Sequence, residues 1–162
     1  MKKFYVIFLI VIVSLCGCVT DPATYYFDAG DIINQATKIQ LVICENNNPV
    51  NVNVKEDTVL LFDIGNVRII ETLEQEKIDE FAYELSTITF HKEMKSVNSP
   101  TGYTILIYMQ NQELIVLSCT VINDIAYGMA AVFSNDGSFV RHIAQFADEP
   151  KFKRLINNYF EF

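Results

Sequence analysis

Tryptophan is absent from this chain, and histidine occurs only twice, as His91 and His142. Neither histidine stands at a metal-ligand spacing from a Cys, Asp or Glu, so no zinc pattern can be drawn. There is no G-x-S-x-G, no H-E-x-x-H, no P-loop and no G-x-G-x-x-G, so no motif points to an enzyme class or a cofactor. Basic side chains are scarce, twelve Lys and Arg against twenty Asp and Glu, for a net charge of −8. Nucleic-acid binding needs a basic footprint, and an acidic chain disfavours it. A long hydrophobic run is lacking too. The apolar stretch from Phe4 to Val13 is about half of the roughly 20 residues that a membrane-spanning helix needs. The missing tryptophan, beside abundant Ile, Asn, Lys and Tyr, is compatible with an AT-rich genome.

What is present begins at the N-terminus. Lys2 and Lys3 precede the apolar run, and small residues and a turn to polar sequence follow it, the order of an export signal. The segment Leu15-Cys16-Gly17-Cys18 resembles the lipobox of bacterial lipoproteins, with Leu at −3, Gly at −1 and Cys at +1. Cys16 at −2 departs from the pattern, where Ala or Ser is usual. The resemblance covers the signal alone. It implies that residues 1–17 are removed and that Cys18 carries two or three acyl chains, enough for stable membrane attachment. Val19, rather than Asp, follows the cysteine, which implies the outer membrane of a diderm or the outer leaflet of a monoderm plasma membrane.

Of the 162 residues, 145 remain without the first 17, the size of one domain. They carry ten basic and twenty acidic side chains, a net −10, spread along the chain. Cys44 and Cys119 are then the remaining cysteines. Outside the cytoplasm they could form a disulfide, closing a loop of about 75 residues worth about 4.5 kcal/mol on the chain-entropy model. Both lie in apolar runs, where buried, unreactive thiols are the ordinary outcome, and no Cys-His pattern marks a nucleophile.

Along the chain, residues 18–35 read as the lipidated cysteine and a tether, and 36–162 as a single domain. Strands are expected at 37–44, 50–54, 58–63 and 67–72, with Ile64-Gly65-Asn66 as a hairpin. A helix follows, with Thr72 and Gln75 as a capping box and Ile78, Phe81, Ala82 and Leu85 as its apolar stripe. A loop through Asn98-Ser99-Pro100-Thr101-Gly102 leads to strands at 103–110, 113–122, 125–133 and 139–146. Their tight connections at 110–112 and 123–124 demand antiparallel pairing. A second helix, capped by Asp148 with Pro150 in its first turn, carries Phe152, Leu155, Ile156 and Tyr159. The expected class is α+β: an antiparallel sheet with two amphipathic helices packed on one face. A shift of 74 residues lays one helix stripe over the other, and a shift of 75 lays Cys44 on Cys119, which leaves a tandem duplication open.

Candidate sites are few. His91 begins a polar loop and His142 lies in a strand beside Arg141, both read as structural. Asp63 and Glu71 flank the expected hairpin and are the nearest approach to a carboxylate pair, while Asp124 and Asp136 suit turns. Tyr25-Tyr26-Phe27 is an aromatic cluster that either packs on the domain or recognises a partner. Tyr103, Tyr108 and Tyr127 suit cross-strand pairing, and Lys151, Lys153 and Arg154 form the one basic cluster. The loop from Lys92 to Gly102 is the longest irregular segment within the domain. The resulting expectation is a non-enzymatic, membrane-anchored, extracytoplasmic binding or accessory module. It has no cofactor, metal or nucleic acid, and its partner is an envelope protein or a small ligand. A small envelope hydrolase and an inhibitor or immunity-type lipoprotein are the alternatives.

Overall fold

Unbroken apolar runs such as Ile105-Leu106-Ile107 and Leu114-Ile115-Val116-Leu117 offer a strand nothing polar to turn toward water, so a sheet built from them needs cover on both faces. The computed structural model describes residues 24–44, 62–91, 102–122, 125–146 and 149–161. It contains eight strands: β1 (Thr24–Tyr25), β2 (Ala36–Cys44), β3 (Val67–Thr72), β4 (Phe90–His91), β5 (Gly102–Met109), β6 (Glu113–Ile122), β7 (Ile125–Ser134) and β8 (Phe139–Phe146). They form one sheet in the order β1-β4-β8-β7-β6-β5-β2-β3, antiparallel at every described pairing. Three helices accompany it: α1 (Ala29–Gln35), α2 (Ile78–Ser86) and α3 (Glu149–Tyr159). The class is α+β, with helices packed against the sheet.

One face carries the main core. Ile39, Leu41, Ile105, Ile107, Ile115, Leu117, Ala130 and Val132 from the sheet meet Ile32 of α1, Phe81 and Leu85 of α2, and Phe152 and Leu155 of α3. Phe81 stands edge-on to Tyr159 and Phe160, with ring centroids 5.6 and 6.4 Å away. The opposite face carries a second core of Val42, Cys44, Leu106, Leu114, Val116, Ala131 and Phe133, onto which Phe62 packs, its ring 5.6 Å from that of Phe133. The Phe62 amide donates to the Gly137 carbonyl at 2.8 Å. Gly137 has φ +86°, and a Cβ there would lie 2.2 Å from the Phe62 carbonyl oxygen, so this turn needs glycine twice over.

Several expectations change. The segment read as a tether carries β1 and α1 and is part of the domain from residue 24. Asp28 caps α1 by accepting the Asp31 amide at 3.2 Å, and burial of Phe27 and Ile32 ties the segment down. Three helices therefore cover the sheet instead of two. The capping box at Thr72 is not formed: Thr72 ends β3, its hydroxyl accepts from Gln40 Nε2 at 2.9 Å, and a 3-10 turn at Gln75–Lys77 leads into α2. Ile64–Asn66 is also a 3-10 turn, with Asp63 accepting the Gly65 amide. A 74-residue shift maps α2 onto α3 and β3 onto β8, but β2 then falls on β6. Because β7 separates β6 from β8 while β2 and β3 are neighbours, the described strands do not repeat as a unit. The expected strands at 50–54 and 58–61, the 92–101 part of the loop, Asp124, Asp148 and Cys18 lie outside the described residues.

The Cys44–Cys119 pairing is not made. Cys44 is a free, buried thiol that donates to the Thr104 hydroxyl at 3.4 Å. Cys119 belongs to β6, and β5 lies between β6 and β2. Two strand spacings are roughly 9–10 Å, beyond the roughly 7 Å that a disulfide can bridge.

Gly102 has φ +80° with nothing within 4 Å of a built Cβ, so alanine there meets only backbone strain, about 1–2 kcal/mol. Gly137→Ala adds a clash with backbone and is expected to cost more than Gly102→Ala, at least about 2–3 kcal/mol. Urea denaturation of the two variants checks the order, and equal losses would contradict this account of the Phe62 turn.

Candidate functional site

A cleft of about 300 Å³ opens on the helical side of the sheet, where α1 meets the β5–β6 hairpin and β8. Three stretches of chain build it. The first is the β1–α1 segment, which contributes Tyr25, Phe27, Asp28, Asp31, Ile32 and Gln35. Its entry is held by aromatic packing, with Phe27 edge-on to Tyr25 at 5.2 Å and to Phe90 at 5.1 Å. The second is the hairpin, with Met109, Asn111, Glu113 and Ile115. Its turn has Gln112 at φ 66° and is bound to α1, since the Gln110 amide donates to the Gln35 carbonyl at 2.8 Å and Gln110 Nε2 to the Asn34 carbonyl at 3.2 Å. The third comprises Val132 of β7 with Arg141 and Ile143 of β8.

Core side chains lie beneath the cleft, Ile32, Ile115 and Val132 being almost fully buried, and the rim is charged. Arg141 makes a two-pronged pair with Glu113, Nη1 to Oε1 at 2.6 Å and Nη2 to Oε2 at 3.2 Å. Asn111 Oδ1 accepts the Glu113 amide at 3.0 Å and fixes the base of that side chain. The bond from Arg141 holds the Glu113 carboxyl below the usual range and raises the Arg141 guanidinium in turn. With side chains 53% and 27% exposed, water screens the pair, and it contributes about 0.2–1 kcal/mol. Tyr25 is pushed up, first by burial and then by Asp31 and Asp28, with Arg141 acting the other way. Its hydroxyl therefore stays protonated and able to donate. Asp28 uses Oδ1 in the α1 cap, while Asp31 faces the cleft with no cation paired to it among the described residues.

The residues singled out in the sequence fall mostly elsewhere. In the Tyr25-Tyr26-Phe27 cluster, Tyr25 and Phe27 line the cleft and Tyr26 is exposed. His142 pairs in register with Ala131, on the second face of the sheet, away from the cleft. Its Nε2 is buried without a hydrogen-bond partner among the described residues, and burial pushes its pKa down. His91 is in β4 and Tyr127 in β7. Asp63 and Glu71 do not form a pair: Asp63 caps the turn before β3, and Glu71, near the other end of that strand, accepts the Glu161 amide. Asp136 closes the Ser134–Ser138 turn with bonds from the Ser134 hydroxyl and the Ser138 amide. Tyr108 lies under Lys38, whose Nζ is 3.9 Å from the ring centroid, while Tyr103 is exposed. Lys151, Lys153 and Arg154 belong to α3. Among the described residues no group of His, Cys, Asp and Glu could hold a metal, and no helix is long and apolar enough to cross a membrane.

Sequence reasoning did not find Asp28, Asp31, Glu113 or Arg141 as cleft residues. A signal existed for the first two: Asp28 stands three residues before Asp31 and just ahead of Ile32-Ile33, the mark of a helix start. Glu113 and Arg141 are joined by strand register across β7, which no local pattern reveals. Comparison with known proteins finds no matching family model, no similar curated protein and no similar solved structure.

His142 yields a pH prediction. With its folded pKa below the unfolded value of about 6.5, the unfolded chain binds more protons in that window, so stability falls as pH drops below about 6.5 and levels off once the folded value is passed. Replacing it by His142→Met is expected to flatten that slope in chemical denaturation between pH 7 and 5. An unchanged slope would show that His142 is not buried neutral.

Proposed function

We propose that this chain is a lipid-anchored, extracytoplasmic and non-enzymatic binding module that takes a small ligand in the cleft beside α1. The observation that carries the binding half is the cleft itself: a concave opening on which carboxylates, a guanidinium, a phenol and amides converge over core side chains, at the lower end of the size range of small-molecule sites. Its polar groups suit recognition. They comprise carboxylates, a guanidinium held by one of them, a phenol and amides, without a thiol or imidazole among them. A hydrolase reading would draw on carboxylates with a histidine, and neither His91 nor His142 is among the described residues that line the cleft; His142 belongs to the other face of the sheet. The anchoring half rests on the lipobox resemblance at Leu15-Cys16-Gly17-Cys18. Two acyl chains at Cys18 would hold the domain at the bilayer without any spanning helix.

Expression of the full chain in a bacterial host with labelled palmitate tests the anchor. Label is expected to enter the protein and to be lost in Cys18→Ala, which should also leave the detergent-extracted membrane fraction. Label retained in Cys18→Ala would overturn the assignment of Cys18.

A further inference from the structure

The cleft's charges point to the kind of ligand it takes. Arg141 is the cation lining it, and its guanidinium is already matched by Glu113 through two hydrogen bonds of 2.6 and 3.2 Å. An incoming anion would meet a guanidinium whose charge Glu113 already compensates. Asp28 and Asp31 then remain as surplus negative charge on the same cavity, and Asp31 has no cation paired to it among the described residues. Beside them stands Tyr25, whose ring and that of Phe27 form an aromatic wall. Aromatic faces attract ammonium groups, and this protein already sets Lys38 over Tyr108 in that manner. Beneath the charges Ile32, Ile115 and Val132 are core, and Met109 and Ile143 are the aliphatic lining residues left partly open, a small apolar contact for a hydrocarbon body.

From this combination we infer that the cleft binds a small organic cation, an amine or quaternary ammonium carried on an apolar body. The ammonium sits between Asp31 and the Tyr25 ring, and the body lies against Met109 and Ile143, the partly open aliphatic side chains of the lining. The inference rests on the reading of the cleft as a ligand site. A volume of about 300 Å³ limits the ligand to metabolite size, too small for a folded partner or an extended peptide. The net charge of −8 on the whole chain draws cations toward the surface and acts in the same direction.

Three probes of one shape separate the terms: phenethylamine, 2-phenylethanol and 3-phenylpropionate, titrated into the full chain in detergent micelles and followed by amide and aromatic chemical shifts. Phenethylamine is expected to shift Tyr25, Asp31 and Ile143 saturably and to bind about tenfold more tightly than the alcohol, with the anion weaker still. The preference should drop by about as much in Asp31→Asn, whose backbone amide still serves the α1 cap, and should survive in Glu84→Gln, a distant control. Equal binding of amine and alcohol at these residues would overturn the cation assignment and leave the cleft as a ligand site. Tightest binding by the anion would assign recognition to Arg141 instead. No shift at cleft residues with any of the three would overturn both the cation assignment and the cleft as a site.

Discussion

The rest of the structure depends on a sheet whose central strands are apolar on both sides. In β5, β6 and β7 the residues of Ile105-Leu106-Ile107, Leu114-Ile115-Val116-Leu117 and Ala130-Ala131-Val132-Phe133 are buried without alternation. Leaving either face in water would cost about 25 cal/mol for each Å² of apolar surface. One face is closed by α1, α2 and α3, the other by Phe62 and its neighbours. The polar exceptions have partners or counterparts: Thr104 accepts from Cys44 and pairs in register with Ser118.

This demand for cover explains the cleft. Residues 24–35 are drawn onto the sheet because Phe27 and Ile32 supply the apolar surface that β5, β6 and β7 need there. The same short segment also carries Asp28 and Asp31, which must stay near water. They end up at the rim of a pocket whose floor is core. The β5–β6 hairpin fixes the opposite wall through Gln110, and β8 delivers Arg141 to Glu113 across β7. The cleft follows from incomplete closure of a core, with its polar groups set by which ends of which elements reach it.

Much of the scaffold was legible from sequence. Period-two and continuous apolar runs mark β2, β3 and β5 to β8, and the short connections at 110–112 and 123–124 demand the antiparallel order. The stripes Ile78-Phe81-Ala82-Leu85 and Phe152-Leu155-Ile156-Tyr159 mark α2 and α3. The third helix was not legible because α1 spans only seven residues, two turns, too short for periodicity to register. Its evidence was confined to Asp28, Asp31 and two isoleucines. Placement of β1 and β4 at the sheet's far edge rests on two-residue pairings that only the folded core selects. The site was least legible of all, since Tyr25, Glu113 and Arg141 meet through the register of strands distant in sequence.

The cleft exists only because residues 24–35 lie against the sheet. The most direct measurement is a nuclear Overhauser spectrum of the isotope-labelled full chain. Cross-peaks are predicted between the rings of Phe27 and Phe90, whose centroids are 5.1 Å apart, and between Ile32 and the sheet's apolar side chains, with slowed amide exchange at Ile32 and Gln110. A segment 24–35 with no such cross-peaks and amides exchanging as in an unfolded chain would contradict it, and the cleft would not exist.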